Sequence, residues 1–302
     1  MSFMPKALRV AVVQPAPVNN DPSHPGNPLK AAGLVTRASR LDPDIVVFPE
    51  YFPFHESRGF LDAVADSGVY VVAGIAYREG GRLYNTATIY SPEGYPLYRQ
   101  RKRYVGRLER RLWGFDRWSG DYGVVDIGGV KLGVAVCADF WSFPEAALEL
   151  FLGGADLFIN PSYMFSMEGH WIKANLSRAL DFYTPVVGVD MASFPLSTKR
   201  YTFRGGGLSH VIVPPSTGDE ANRWWVSGAS TADGWVRLKL GSGEDMGVYT
   251  IDVQGVYSWR RDWWRRMRGV ELEEWMREAR KRHRAAVLVD SRRPHQVGGQ
   301  TG

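Results

Sequence analysis

The sequence predicts an α/β protein in which two sheets pack face to face and helices cover the outer faces. Three observations carry that class. Short apolar segments such as Ile45-Val-Val-Phe48 and Val69 to Tyr77 have strand length and almost no polar residues, the pattern of strands buried on both sides. Segments of helical spacing, Leu29 to Arg40 among them, alternate with these strands. The chain also carries a weak internal echo. Leu41-Asp-Pro-Asp-Ile-Val-Val-Phe-Pro-Glu-Tyr51 resembles Gly154-Ala-Asp-Leu-Phe-Ile-Asn-Pro-Ser-Tyr163, and each follows a strand and a helix. In both, an acidic residue precedes an apolar strand that ends in Pro-x-Tyr. Two similar halves imply a single domain despite the length of 302 residues.

In chain order, Ala7 to Gln14 has strand character and leads into a Pro/Asn/Asp-rich loop up to Pro28. The helix Leu29 to Arg40 precedes the strand Ile45 to Phe48, which ends at Pro49-Glu50-Tyr51. A helix over Phe60 to Ser67 precedes the strand Val69 to Tyr77. Leu83 to Tyr90 and Tyr95 to Tyr98 flank the turn Ser91-Pro-Glu-Gly94 as a hairpin. Arg99 to Arg117 is a basic and irregular stretch. Gly128-Gly129 joins Val124 to Ile127 and Val130 to Val136 as a second hairpin, which Pro144 to Leu152 follows as a helix. The strand Asp156 to Ile159, the helix Trp171 to Tyr183 and the strands Val186 to Asp190, Leu208 to Val213 and Val248 to Val253 complete the body. Residues 1–257 are assigned to this domain, and residues 258–302 to a basic C-terminal arm rich in Arg and Trp.

Eleven Trp, fourteen Phe and fourteen Tyr supply a sizeable core. The net charge of +5 belongs to the arm, whose twelve Lys/Arg against six Asp/Glu leave the remainder nearly neutral. A local basic surface of that kind does not make a nucleic-acid binder, and no apolar run approaches the ~18 residues of a membrane span. With one cysteine, no internal disulfide is possible, and no signal-peptide pattern opens the chain. These features favour a cytoplasmic protein. Trp259 to Arg284 has the spacing of one or two amphipathic helices, and its Trp, Val, Leu and Met are more apolar surface than a solvated tail would show. At least a homodimer is therefore expected, with the arm as a contact, unless the arm folds back on its own subunit. The final five residues from Gly298 are expected to be disordered.

Three residues at or just past strand ends stand out as carriers of chemistry. The sole cysteine, Cys137, lies between a strand and a helix, where a helix N-terminus can favour thiolate. The bland alternative is a small buried hydrophobe. Glu50 follows the strand Ile45 to Phe48 and could equally be a capping carboxylate. Lys102 is the one lysine among Arg99, Arg101 and Arg103. A site that needs a compact charge prefers lysine, whereas one more solvated cation is the alternative.

At these residues the chain resembles the nitrilase superfamily of carbon–nitrogen hydrolases. Phe48-Pro-Glu50, Tyr98-Arg-Gln-Arg-Lys102 and Val136-Cys137-Ala-Asp139 match its three motifs in order. Gly74, Asn85-Thr86, Gly154-Ala-Asp156, Asn160-Pro-Ser162 and Arg292-Arg-Pro294 agree. The resemblance implies a four-layer αββα sandwich of two mixed sheets and a Glu-Lys-Cys triad. It implies Glu50 as general base, Lys102 with the Ala138 backbone N–H as oxyanion donors, and Cys137 as the nucleophile that carries the acyl group. Many members place a second glutamate seven or eight residues past the lysine, and Glu109 fits. A structural ion pair with Arg107, Arg110 or Arg111 is its alternative. The sequence departs from the family pattern at Arg178-Ala179-Leu-Asp181-Phe182, where Phe182 replaces an asparagine.

Within the family, Cys137-Ala-Asp139 is similar to amide hydrolases, so an amidase is expected, with a nitrilase or N-carbamoyl amino acid hydrolase as the other readings. Phe52, Phe54, Trp141 and Tyr163 follow the motif strands and are candidate pocket walls for a small-molecule amide or nitrile. No cofactor is called for: His24, His55, His170, His210, His283 and His295 show no ligand spacing, and no phosphate-binding glycine loop appears. A non-catalytic scaffold relative is the reading of another class; the three motif residues together argue against it.

Overall fold

The computed structural model describes residues 7–164, 168–197, 202–217, 220 and 232–289. Arg292-Arg-Pro294 and the tail from Gly298 lie outside the described residues. The strands in chain order begin with β1 (Leu8–Gln14), β2 (Ile45–Val47), β3 (Pro53–Phe54), β4 (Tyr70–Glu79), β5 (Arg82–Tyr90) and β6 (Pro96–Arg101). They continue with β7 (Gly123–Ile127), β8 (Val130–Val134), β9 (Leu157–Pro161), β10 (Val186–Val189), β11 (Phe194–Ser197) and β12 (Thr202–Gly205). Last come β13 (His210–Ile212), β14 (Val236–Lys239), β15 (Asp245–Ile251) and β16 (Val287–Val289).

One mixed sheet runs β15-β1-β2-β4-β5-β6, with β3 paired to β4; the other runs β14-β13-β10-β9-β8-β7-β16. Strand alternation decides how they stack. Leu8, Val10 and Val12 of β1 and Ile45 and Val47 of β2 share one core with Leu132, Val134, Phe158 and Val187 of the second sheet. Ala11, Val13 and Val46, on the opposite face, join Leu34, Val35 and Val64 of the helices α1 (Asn27–Ser39) and α2 (Arg58–Ser67). Beyond the short helices α3 (Arg107–Trp113) and α4 (Ala138–Trp141), α5 (Pro144–Leu152) and α6 (Glu168–Phe182) pack on the second sheet. The order is helix, sheet, sheet, helix, as the sequence predicted.

The internal echo is structural. Arg9 N–H of β1 donates to Asp44 Oδ2 at 2.6 Å, and Lys131 N–H of β8 donates to Asp156 Oδ2 at 3.1 Å. Each acid therefore closes the open end of the parallel pair that its own strand joins. The two echo tyrosines, Tyr51 and Tyr163, meet edge to face with ring centroids 6.0 Å apart.

The basic stretch is more ordered than the sequence suggests. β6 extends to Arg101, and its arginines are stacked and paired. Arg99 lies 4.4 Å over Tyr77 and 2.8 Å from Glu56; Arg101 lies 4.4 Å over Tyr84 and pairs with Glu79. Aromatic faces absorb charge that looked surplus in the sequence.

The arm belongs to the body. The helix α7 (Val253–Arg268) begins before Tyr257, so a boundary at 257 falls inside it, and α8 (Leu272–Arg280) follows. Trp264 is buried against Phe151 and Trp275, at 5.4 and 4.9 Å between centroids. Arg260 is buried too, 3.4 Å from Asp156, and β16 adds a parallel edge strand to β7. The apolar face packs on its own chain, with Trp264 and Leu272 buried and Trp259, Trp263, Val270, Trp275 and Met276 partly buried.

Candidate active site

Glu50, Lys102 and Cys137 come together at strand ends, the usual place for ligands in α/β sheets. Glu50 follows β2 in a tight turn that crosses β4 at Gly74. A Cβ on Gly74 would lie 2.4 Å from Tyr51 N and 2.5 Å from Pro49 O, so only glycine lets the turn pass this close. Lys102 continues β6, and its N–H donates to Asn85 O of β5 at 2.8 Å. That register sets the Asn85 and Lys102 side chains beside each other over Glu50.

Lys102 is 3% exposed and Glu50 1%. Lys102 Nζ donates to Glu50 Oε1 at 2.8 Å and to Glu109 Oε1 at 2.9 Å. Asn85 Nδ2 donates to the same two oxygens, at 2.7 and 3.2 Å. Tyr51 Oη also donates to Glu109 Oε1, and Gly106 N–H reaches Glu109 Oε2 at 2.6 Å. A buried cation is thus held between two carboxylates, the arrangement that makes its burial tolerable.

The protonation states follow. Burial pushes the Glu50 carboxyl above its ordinary value, and Lys102 offsets this only in part; the charge on Glu109 adds to the rise. For Glu109, burial acts upward, but Lys102 and the hydrogen bonds from Tyr51, Lys102 and Gly106 outweigh it and hold the group low. Burial alone would lower Lys102, yet Glu50, Cys137 and Glu109 lift it well above the usual lysine range, so it is an ammonium.

Cys137 ends the segment after β8 and precedes α4. Its φ of 50° and ψ of −118° lie where L-residues rarely sit. Cys137 N–H donates to Pro161 O at 2.9 Å, and Asn160 Nδ2 donates to Cys137 O at 3.2 Å. Trp171 Nε1 in turn holds Asn160 Oδ1 at 2.7 Å. The helix N-terminus does not decide the state of this thiol. Burial, then Glu50, raises the thiol well above its usual range, and Lys102 and the Tyr163 N–H offset only part of that. Desolvation outweighs a helix of four residues.

Asp139 ties the cysteine to the lysine. Its carboxylate accepts from Arg103 N at 2.7 Å, Tyr104 N at 2.9 Å and Tyr122 Oη at 3.1 Å. Arg103 then grips Glu149 of α5 through two bonds of 2.8 Å. The peptide units just after Lys102 are therefore bolted to the helices just after Cys137.

The description "carbon-nitrogen hydrolase" fits the chain over residues 9–261 at the level of a family model. This chain belongs to the carbon-nitrogen hydrolase family. Among relatives, a Pyrococcus abyssi nitrilase is 34% identical over 175 residues, 51% of this chain and 64% of that protein's length. A Bacillus thuringiensis formamidase is 28% identical over 250 residues, 73% of this chain and 71% of that protein. The Helicobacter pylori carbon-nitrogen hydrolase structure superposes with a TM-score of 0.71 at 19% identity, over 92% of this chain and 99% of that one. The amidase of Nesterenkonia sp. in complex with acrylamide gives 0.64 at 18%, over 87% and 99%. The chain is a carbon–nitrogen hydrolase enzyme of the nitrilase superfamily.

In this carbon-nitrogen hydrolase the sequence-predicted residues separate cleanly. Glu109 is brought in, paired with Lys102 and not with the neighbouring arginines. Phe54 and Tyr163 stand around Tyr51, 6.2 and 6.0 Å away, with Trp113 at 4.7 Å and Phe115 at 5.8 Å completing an aromatic wall. Phe52 is fully buried against Phe48 at 5.6 Å, and Trp141 is partly buried against the core of the second sheet and its helices. Ala138 is the first residue of α4. Sequence reasoning left Asn85 as a lesser mark and did not assign Tyr51, although the Pro-Glu-Tyr and Asn-Thr signals both lay beside the motifs.

Proposed function

We propose that this carbon-nitrogen hydrolase converts a carboxamide to the acid and ammonia through an acyl-enzyme on Cys137. The observation that carries the reading is the buried Lys102 ammonium between Glu50 and Glu109, next to a thiol that rests protonated. A protonated thiol needs a base within the step, and Glu50, raised by burial, has the basicity to take its proton. The sulfur then attacks the carbonyl carbon as the S–H proton passes to Glu50. Lys102 Nζ and the Ala138 N–H stabilise the oxyanion, and such a donor contributes about 3 kcal/mol in a dry site. On collapse the C–N bond breaks, Glu50 returns the proton to the nitrogen, and ammonia leaves. Water, deprotonated by Glu50, releases the acid. Glu109 acts through Lys102 as a positioning residue.

The formamidase and amidase relatives support an amide; the nitrilase relative supports nitriles as the second reading. Ammonia release from a matched panel of amides and nitriles separates them. Amides should be turned over the faster, and faster nitrile turnover would make the second reading the correct one.

The pH profile tests the roles of the carboxylates. Activity should fall at low pH as Glu50 protonates, at a pH above that of an ordinary glutamate. The Glu109 charge contributes to raising Glu50, so Glu109→Gln should move the acid limb of kcat/KM to lower pH. The same change should lower kcat by about ten- to a hundredfold, the worth of a hydrogen bond to a charged group. An acid limb that stays in place or moves upward would contradict this electrostatic assignment.

A further inference from the structure

Asn85 meets Lys102, Glu50 and Glu109 and carries no charge itself. It sits on β5, which pairs with β4 on one side, Asn85 opposite Ala76, and with β6 on the other, so its backbone is fixed from both sides. Its carbonyl accepts from Lys102 N–H at 2.8 Å. Its amide Nδ2 donates to Glu50 Oε1 at 2.7 Å and to Glu109 Oε1 at 3.2 Å, the two oxygens that Lys102 Nζ also reaches. Two donors, one charged and one neutral, therefore bridge the same pair of oxygens. Chemistry sets the orientation of the amide, since turning it over would put Oδ1 against two carboxylates.

The other end of the side chain is not served in the same way. Asn85 Oδ1 is buried with no hydrogen-bond partner among the described residues. An amide kept for packing alone would have both ends satisfied, because a bare buried acceptor costs stability. The donor end is where this residue acts, and its grip has a consequence for Lys102. An ammonium has three N–H groups, and two are spent on the oxygens that Asn85 pins. With both acceptors fixed, the ammonium cannot rotate and its third N–H keeps one direction.

We propose that Asn85 is a positioning residue for the reaction: it fixes the Glu50 carboxylate as base and, through the two shared oxygens, aims the third N–H of Lys102 at the oxyanion. The inference rests on the reading of Glu50 as the base and Lys102 as an oxyanion donor. It adds how each is held to its task without a second cation, which would weaken Glu50 as a base.

The pH dependence carries a signature of this role. Glu50 faces Lys102 after β6, Glu109 of α3, Cys137 before α4, and the hydroxyls of Tyr51 and Tyr163. Burial pushes the thiol and both hydroxyls up, so all three are neutral on the acid side. Burial also raises Glu50, and the bond from Asn85 is among the influences that lower it. Loss of that bond raises Glu50 further, so the acid limb moves to higher pH, the opposite direction from Glu109→Gln.

Asn85→Leu keeps the approximate volume and removes the donor. Asn85→Ser, too short to bridge the two oxygens, carries the test if Asn85→Leu does not fold. In the folded variant kcat should fall by about ten- to a hundredfold while KM stays within about threefold, because the buried amide does not touch substrate. Alkylation by iodoacetamide reads the base directly, since Cys137 is the sole cysteine and its proton must pass to Glu50. The alkylation rate should rise with pH through a limb that lies higher than in the unaltered enzyme. An alkylation limb that stays in place or moves to lower pH, a kcat within about twofold of the unaltered value, or a loss confined to KM would overturn the proposal. Alkylation needs no substrate, and ammonia release by the unaltered enzyme reports on the amidase reading, so the two can fail independently.

Discussion

Cys137→Ser should leave a folded protein with less than about a thousandth of the unaltered turnover. The side chain is 7% exposed and accepts a hydrogen bond from the Tyr163 N–H, a role that a hydroxyl can take over. Stability should therefore change by about 1 kcal/mol at most, within the ordinary range of near-isosteric substitutions. Chemistry is affected far more than packing. An alkoxide is much harder to form than a thiolate. Retention of more than a few per cent of the activity, with ammonia as the readout, would show that sulfur is not the nucleophile.

Lys102 combines the two kinds of effect. Lys102→Met removes the cation that lies 2.8 Å from Glu50 and 2.9 Å from Glu109 and leaves two buried carboxylates with Asn85 Nδ2 as the donor they share, Tyr51 and Gly106 serving Glu109 alone. Breaking a buried pair of this kind costs about 3–5 kcal/mol, so a clear loss of thermal stability should accompany at least a hundredfold loss of kcat, about the value of one oxyanion donor. Lys102→Arg should be nearly as damaging to turnover. The planar guanidinium is too large for a position that two carboxylates and Asn85 enclose on three sides. Turnover near the unaltered level in Lys102→Arg, measured with the same amide, would mean that bulk positive charge suffices there. Lys102 would then cease to be a point donor to the oxyanion.

Much of this site was legible in the sequence, and the reason is local. Glu50 and Cys137 end strands whose apolar runs are unmistakable, and Lys102 stands alone among arginines. The echo around Tyr51 and Tyr163 was readable as two similar halves, and it correctly implied the face-to-face sheets. What escaped was tertiary. Asn85 reaches Glu50 and Glu109 only because β5 and β6 pair in one register, and no local pattern encodes that pairing. The helix α3 lay hidden in a stretch whose arginines obscure any apolar stripe, although it delivers Glu109. Which surface the arm packs on was hidden for a related reason. Its Trp content is a sound sign of burial, but partners such as Phe151, against Trp264, and Tyr183, stacked on Trp263, lie far back in the sequence. At Cys137 the helix end can be read from the sequence, whereas the desolvation that outweighs it cannot.

The covalent acyl-enzyme is the central claim, and mass spectrometry of protein quenched in acid during turnover addresses it most directly. The account predicts a mass increase equal to the acyl group, located on the peptide that contains Cys137 and absent from Cys137→Ser. Rapid amide hydrolysis with Cys137 unmodified throughout, or an acyl increment on any other residue, would contradict it.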